Sequence, residues 1–324
     1  MPLITRLTER LGIEHPVISA PMAFAAGGRL AAAVSAGGGL GLIGGGYGDA
    51  DWIDEQFRAA GNARVGCGFI TWSLAKQPAL LDTVLERSPA AIFLSFGDPR
   101  PFGAAVREAG ALLICQVQTV ADARAALAAG ADIVVAQGAE AGGHGEKRAT
   151  LTLVPEVADL LSREAPDTLL CAAGGIADGR GLAAALMLGA DGALVGSRFW
   201  ASPEANVHGQ MHAAALAADG DATIRSSVMD IARKLEWPSR FTARVLRNGF
   251  TDMWHGREAD LVKDAEGQSA RWKRAWETGD VDVANTFVGE CVGQIRAIEP
   301  AGDILRRIVR EAEACLSRGR SLVS

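Results

Sequence analysis

The sequence contains no CxxC pair, and its five cysteines are an odd number. That predicts buried free thiols in a reducing cytosol, not a disulfide framework. No basic run occurs. Lys and Arg are scattered through a chain of formal net charge −6, which excludes nucleic acid as a partner. No apolar stretch is long enough to span a membrane without a Gly or a charge breaking it. The start, MPLITRLTERLG, lacks an apolar h-region, so no secretory signal is expected and the location is read as cytoplasmic. A metal motif is also missing. His208 and His212 have helical i, i+4 spacing, but Gly209 stands where the Glu of HExxH would be. The cofactor-binding GxGxxG exists only as a string. Gly39-Leu40-Gly41-Leu42-Ile43-Gly44 has a helical pattern before it, holds its own strand, and finds no acidic partner near position 64. A dinucleotide fold needs the reverse order.

What the chain does have is length, apolar content and rhythm. Its 324 residues, 49% of them hydrophobic, allow one large barrel with an added segment. Short apolar runs recur near 17–20, 40–43, 64–70, 91–95, 112–116, 132–136, 168–172 and 192–195. They are apolar at consecutive positions, as parallel strands buried on both faces must be. Ala-rich helical patterns separate them, over 28–36, 51–60, 78–87, 100–109, 120–129, 154–163 and 180–188. Gly37, Gly110, Gly130 and Gly189 stand where helices end, and Gly-Ala-Asp recurs at 130–132 and 189–191. Eight such units predict an α/β fold, a (β/α)8 TIM barrel, with a doubly wound open sheet as the alternative.

The rhythm stops after residue 200. Residues 203–290 contain no convincing strand, carry Trp237, Trp254, Trp272 and Trp276, and are expected to form a helical insertion or cap. Residues 291–324 read as an amphipathic helix completing a barrel built from 1–202.

In a barrel of this kind chemistry sits in the loops after the strands. Gly174-Gly175 after the seventh strand and Gly196-Ser197 after the eighth offer backbone amides with no Cβ in the way, which suits a phosphate. The segment from Gln137 to Glu146 follows the sixth strand and holds His144 behind two glycines. A rim histidine has the ordinary pKa of a general base.

These residues resemble the nitronate monooxygenase family, formerly the 2-nitropropane dioxygenases. The resemblance rests on Ala20-Pro21-Met22, QGAEAGGHGE (137–146), AAGGIADGRGLAAALMLGAD (172–191) and LVGSRF (194–199). It implies a barrel that binds FMN and oxidises alkyl nitronates with O2 to a carbonyl compound and nitrite. It further implies that Pro21, Met22 and Ala23 border the flavin ring, and that Thr71, Gln116 and Gln137 contact ring or ribityl chain. Gly142 would lie under the cofactor edge. Ala173, Gly174, Gly175, Gly196 and Ser197 would hold the phosphate, and His144 matches the catalytic histidine. The partners implied are a small nitronate or nitroalkane and O2, with a homodimer as the candidate assembly. The third strand departs from the pattern: Gly66-Cys67-Gly68-Phe69-Ile70-Thr71-Trp72 stands where many members have a GVN-like motif with an Asn. The same pattern embraces FMN-dependent NAD(P)H:quinone reductases and enoyl-thioester reductases. A non-catalytic barrel that binds a flavin or phosphate ligand is the reading from outside enzymology.

Overall fold

The computed structural model describes residues 3–322; the outermost two residues of each terminal segment, 1–2 and 323–324, lie outside it. Among the described residues, eleven strands form two sheets. In chain order they are β1 (Val17–Ser19), β2 (Gly41–Gly46), β3 (Val65–Ile70), β4 (Ala91–Ser95), β5 (Leu112–Val117) and β6 (Ile133–Gln137). Then follow β7 (Gly143–Gly145), β8 (Leu169–Ala173), β9 (Gly192–Val195), β10 (Thr223–Ser226) and β11 (Thr242–Leu246).

Eight of them form the barrel in the order β1-β9-β8-β6-β5-β4-β3-β2, all neighbours parallel. These are the eight runs read from the sequence. The ring closes between β1 and β2 through one bridge, Ile18 to Leu40, with Ser19 N donating to Leu40 O at 3.0 Å and Leu40 N to Val17 O at 3.1 Å. That closure rules out the open sheet. Glycine sets how near the outer helices come. A Cβ on Gly41 would lie 1.8 Å from the Ala31 carbonyl oxygen, so the helix Gly28–Ala36 rests directly on strand backbone. The string that imitated a nucleotide motif is therefore a packing device.

The repeated Gly-Ala-Asp phrase also has a structural reason. Gly130 and Gly189 take φ of +80° and +95° and end their helices. The aspartate two residues on then accepts a backbone N–H from the neighbouring strand. Asp132 takes Leu113 N and Asp191 takes Leu170 N, both at 2.9 Å. Arg10 and Arg6 reach back to the same two carboxylates at 2.9 Å each. This ties the helix Arg6–Leu11 across the end of the barrel where strands begin. Its Leu7 and Leu11 enter the barrel interior beside Ile18 and Phe93, each burial contributing roughly 1.5–3 kcal/mol. Gly37 caps the helix Gly28–Ala36 with right-handed backbone, and the left-handed residue there is the next one, Gly38, at φ +97°.

The last helix, Ala301–Arg320, packs between Gly179–Met187 and Gly28–Ala36. A second apolar core gathers Trp200, Met229, Val245, Phe250, Trp272 and Val288. Here the expectation of a strand-free 203–290 is wrong. β10 and β11 pair antiparallel, and β11 also pairs antiparallel with β7 from the loop after β6. All five cysteines are free, Cys67, Cys115, Cys171 and Cys291 being buried.

Candidate active site

At the ends of the barrel strands opens a cavity of about 760 Å³. Its floor is made by a chain segment that only glycines could admit. A Cβ on Gly68 would come within 2.4 Å of Pro21 Cγ, and one on Gly44 within 2.3 Å of the Met22 carbonyl oxygen. So Pro21, Met22 and Ala23 lie across the mouths of β2 and β3 and line the cavity. The Gly66-Cys67-Gly68 departure noted in the sequence is thus the place where Pro21 is seated.

Ala173, Gly174 and Gly175 follow β8, and Gly196 and Ser197 follow β9, the neighbour of β1; all five line the cavity. Gly174 and Gly175 have φ of +102° and +76°, the left-handed region that glycine enters without penalty. A Cβ on Gly196 would meet Ala20 Cβ at 3.6 Å and Met22 Sδ at 3.9 Å, ordinary van der Waals contacts, so this backbone is not crowded. Ser197 Oγ accepts Gly289 N at 2.9 Å. Asp178 caps the next helix by accepting Arg180 N at 2.9 Å.

The glutamines at the strand ends divide into two kinds. Gln137 is fully engaged: it accepts Gln118 Nε2 at 2.9 Å and donates to the His144 carbonyl oxygen at 3.1 Å. Gln116 also lines the cavity, but its buried amide nitrogen has no partner. Thr71 opens a short helix, is buried with its hydroxyl unpartnered, and is not among the cavity-lining residues. Gly142 lines the cavity and packs against the 288–289 backbone, 2.5 Å from where its Cβ would stand.

His144 is the centre of β7 and pairs with Ala243 of β11. Through that sheet the chain reaches β10 and then the helix Val228–Ala232, which carries Asp230. The Nε2 of His144 lies 2.9 Å from Asp230 Oδ2, both side chains being under a tenth exposed. A carboxylate can only accept, so the proton sits on Nε2 and the Nδ1 lone pair is left for other work. The imidazole lies flat on Trp237, which donates from its indole nitrogen to the Tyr47 hydroxyl at 3.1 Å. Burial holds the His144 pKa below its ordinary 6.5, against the raising pull of Asp230; Arg233 and Arg225 push it further down. The ring is therefore neutral at neutral pH. Arg225 and Arg244 both donate to the Ala139 carbonyl oxygen and fix the start of the loop that carries it.

The nitronate monooxygenase family model matches residues 4–66 and 70–311. The chain belongs to that family. A nitronate monooxygenase of Neurospora crassa is 34% identical over 93% of this chain and 90% of its own. Among solved structures, FabK from Thermotoga maritima is similar at TM-score 0.87 and 32% identity, covering 99% of this chain and 100% of its own. The nitroalkane oxidase of Streptomyces ansochromogenes follows at TM-score 0.80 and 29% identity, with 96% and 99% covered. Membership makes the protein an oxidoreductase. No helix among the described residues is long and apolar enough to cross a membrane.

Sequence reasoning did not find Asp230, Trp237, Tyr47 or Arg233, all of which line the cavity or touch His144. The clue available was weak: Asp230 lies 86 residues from its partner. His208 and His212 serve locally, His208 accepting Gln210 N and His212 bonding the Trp200 carbonyl oxygen.

Proposed function

We propose that the protein is an FMN-dependent nitronate monooxygenase that converts alkyl nitronates, with O2, to a carbonyl compound and nitrite. The observation that carries the reading is the buried Asp230–His144 pair, with an unprotonated Nδ1 at the edge of the cavity. The chain's own features suit a flavin mononucleotide. Left-handed Gly174 and Gly175, together with the uncrowded backbone of Gly196, would cradle one phosphate. The orphaned amide of Gln116 waits for a carbonyl or hydroxyl acceptor. Pro21, Met22 and Ala23 would border the ring, with Gln137 and Gly142 at its edge and Ala173 and Ser197 beside the phosphate. Thr71 would act from behind this layer. When bound, a flavin would supply the electron transfer from substrate to O2.

The residues do the rest. With a neutral nitroalkane, Nδ1 of His144 removes the proton from the carbon bearing the nitro group, and the C–H electron pair moves onto the nitro oxygens. The imidazolium so formed keeps its Nε2–H bond to Asp230, whose negative charge stabilises it. A nitronate that arrives already ionised needs no base, and His144 then orients it. The apolar walls, Phe93, Phe96 and Ile176 among them, exclude water from the reacting carbon.

A second reading has its own support in the cavity's extent. It runs past the flavin loops to Trp272, Lys273 and Trp276, more room than a small nitronate fills. That favours a reductase taking NAD(P)H and a quinone or enoyl thioester. Anaerobic mixing separates the readings. Bleaching of the flavin by a nitronate supports the first, and bleaching only by NADH or NADPH replaces it with the second. No bleaching by any of the three leaves a non-catalytic flavin barrel. The five free cysteines suit the cytoplasm.

A further inference from the structure

Beside the Asp230–His144 pair stands a cation whose donors the protein leaves nearly unused. Arg233 follows the helix that carries Asp230, and its side chain lines the cavity while only 15% exposed. Its carboxylate neighbour is Asp230 Oδ1 at 4.0 Å, too far for a hydrogen bond, and that oxygen is itself buried without a partner. Aromatic rings hold the guanidinium instead: the Tyr47, Trp272 and Phe287 centroids lie 5.3, 5.5 and 5.9 Å from Cζ. Ring faces attract a cation but do not satisfy a fork of five N–H donors. The Tyr47 hydroxyl accepts one hydrogen bond from the guanidinium, which leaves most of the fork's donors for a ligand.

A largely buried charge with unused donors costs free energy unless a ligand completes it. The planar fork of arginine matches a planar anion with two oxygens. We propose that Arg233 is the receptor for the two nitro-group oxygens of the substrate, holding the carbon to be deprotonated against Nδ1 of His144. On the neutral nitroalkane the charge reaches those oxygens only as the proton leaves, so Arg233 would stabilise the transition state more than the bound substrate. On the nitronate the charge is present from the start, so Arg233 would act on binding. This rests on the nitronate reading above.

The test uses the protein purified with its flavin and nitrate as an unreactive planar oxyanion. Calorimetric titration compares wild type with Arg233→Met, Arg233→Lys and, as a cation elsewhere on the cavity wall, Lys273→Met. Nitrate affinity should fall tenfold or more in Arg233→Met and by less in Arg233→Lys, which keeps the charge but not the fork. In turnover, Arg233→Met should raise KM for the nitronate, whereas for the neutral nitroalkane it should lower kcat. Nitrate that fails to bind wild type, or binds Arg233→Met as tightly, overturns the proposal. So does a loss confined to Lys273→Met, or loss of flavin from Arg233→Met, which would put Arg233 in the cofactor grip. Arg233-dependent nitrate binding without nitronate turnover would keep the anion site and remove the nitronate reading. Nitronate turnover with nitrate binding indifferent to Arg233 would do the reverse.

Discussion

The imidazole of His144 and the indole of Trp237 lie face to face, 3.4 Å between ring centroids and 5° from parallel. Two effects of this contact oppose each other. A ring face stabilises a cation by roughly 0.5–2 kcal/mol, which favours the imidazolium. Burial disfavours it and, for a fully buried group, can shift a pKa by as much as ~3–5 units. Burial is the larger influence on His144, whose pKa lies below the ordinary value.

Removing the indole should therefore raise the His144 pKa. In Trp237→Ala the rate with a neutral nitroalkane still rises with pH as the imidazole loses its proton, but the rising limb moves to higher pH. The pH–rate profile measures this. A limb displaced to lower pH would mean that the stacked ring was acting as a cation partner.

Asp230→Asn tests the other side of the imidazole. Asp230 raises the His144 pKa, so its loss should lower that pKa further and move the limb to lower pH. The asparagine amide can also donate to Nε2, which puts the proton on Nδ1 and removes the base. Plateau turnover of the nitroalkane should fall, by no more than the roughly 10²–10⁴-fold that a positioned base supplies. An unmoved limb with an unchanged plateau would show that the 2.9 Å contact has no part in the reaction.

The proposed phosphate cradle can be tested with a pair of substitutions at one residue. Gly196 has room for a methyl group, its nearest neighbour being 3.6 Å away, and its φ is −105°. Gly196→Ala should fold and keep its flavin. Gly196→Asp should fold but lose the flavin, because it sets a carboxylate against a phosphate. Gly175→Asp should lose it too, and should also be less stable, since at φ +76° any side chain is strained. Flavin absorbance per mole and circular dichroism distinguish these outcomes. Full flavin in Gly196→Asp would take this loop out of the site.

The barrel was legible in the sequence because each of its elements obeys a local rule. β4 (AIFLS) and β6 (IVVAQ) are buried throughout and read as apolar runs. Two strands of the second sheet obey none. β7 is Gly-His-Gly, and β10 is Thr-Ile-Arg-Ser, whose Arg225 donates to the Ala139 and Thr242 carbonyls. Neither has the apolar alternation of a half-buried strand: the side chains they bury, His144 and Ser226, are polar, and backbone pairing and arginine hydrogen bonds help hold them. His144 could be singled out because glycines and a strand end frame it. Asp230 and Arg233 could not, because nothing around them announces a site until the sheet folds them back onto the barrel. Thr71 shows the converse: it stands at the end of a strand in sequence, yet its side chain lies behind Gly97, whose Cβ would come 2.8 Å from the Thr71 Cβ.

His144→Ala joins the chemistry to the fold. The proposed phosphate cradle lies on other loops, so the variant should retain its flavin. Turnover of a neutral nitroalkane should fall by about 10²–10⁴-fold, the usual contribution of a positioned base. Turnover of the pre-formed nitronate should fall much less, since that substrate has already lost its proton. In wild type the nitroalkane rate should rise as pH increases through the His144 pKa, which burial keeps below 6.5, and should be flat by neutral pH. The variant should lose that limb, while the nitronate rate shows it in neither protein. Steady-state kinetics with both substrates from pH 5 to 8, the range in which an unperturbed histidine titrates, measures all of this. Equal losses with the two substrates would assign His144 to orienting the anion. No loss with either would make the Asp230–His144 pair a structural link between the barrel loop and the second sheet, and the base would have to be sought elsewhere along the cavity wall.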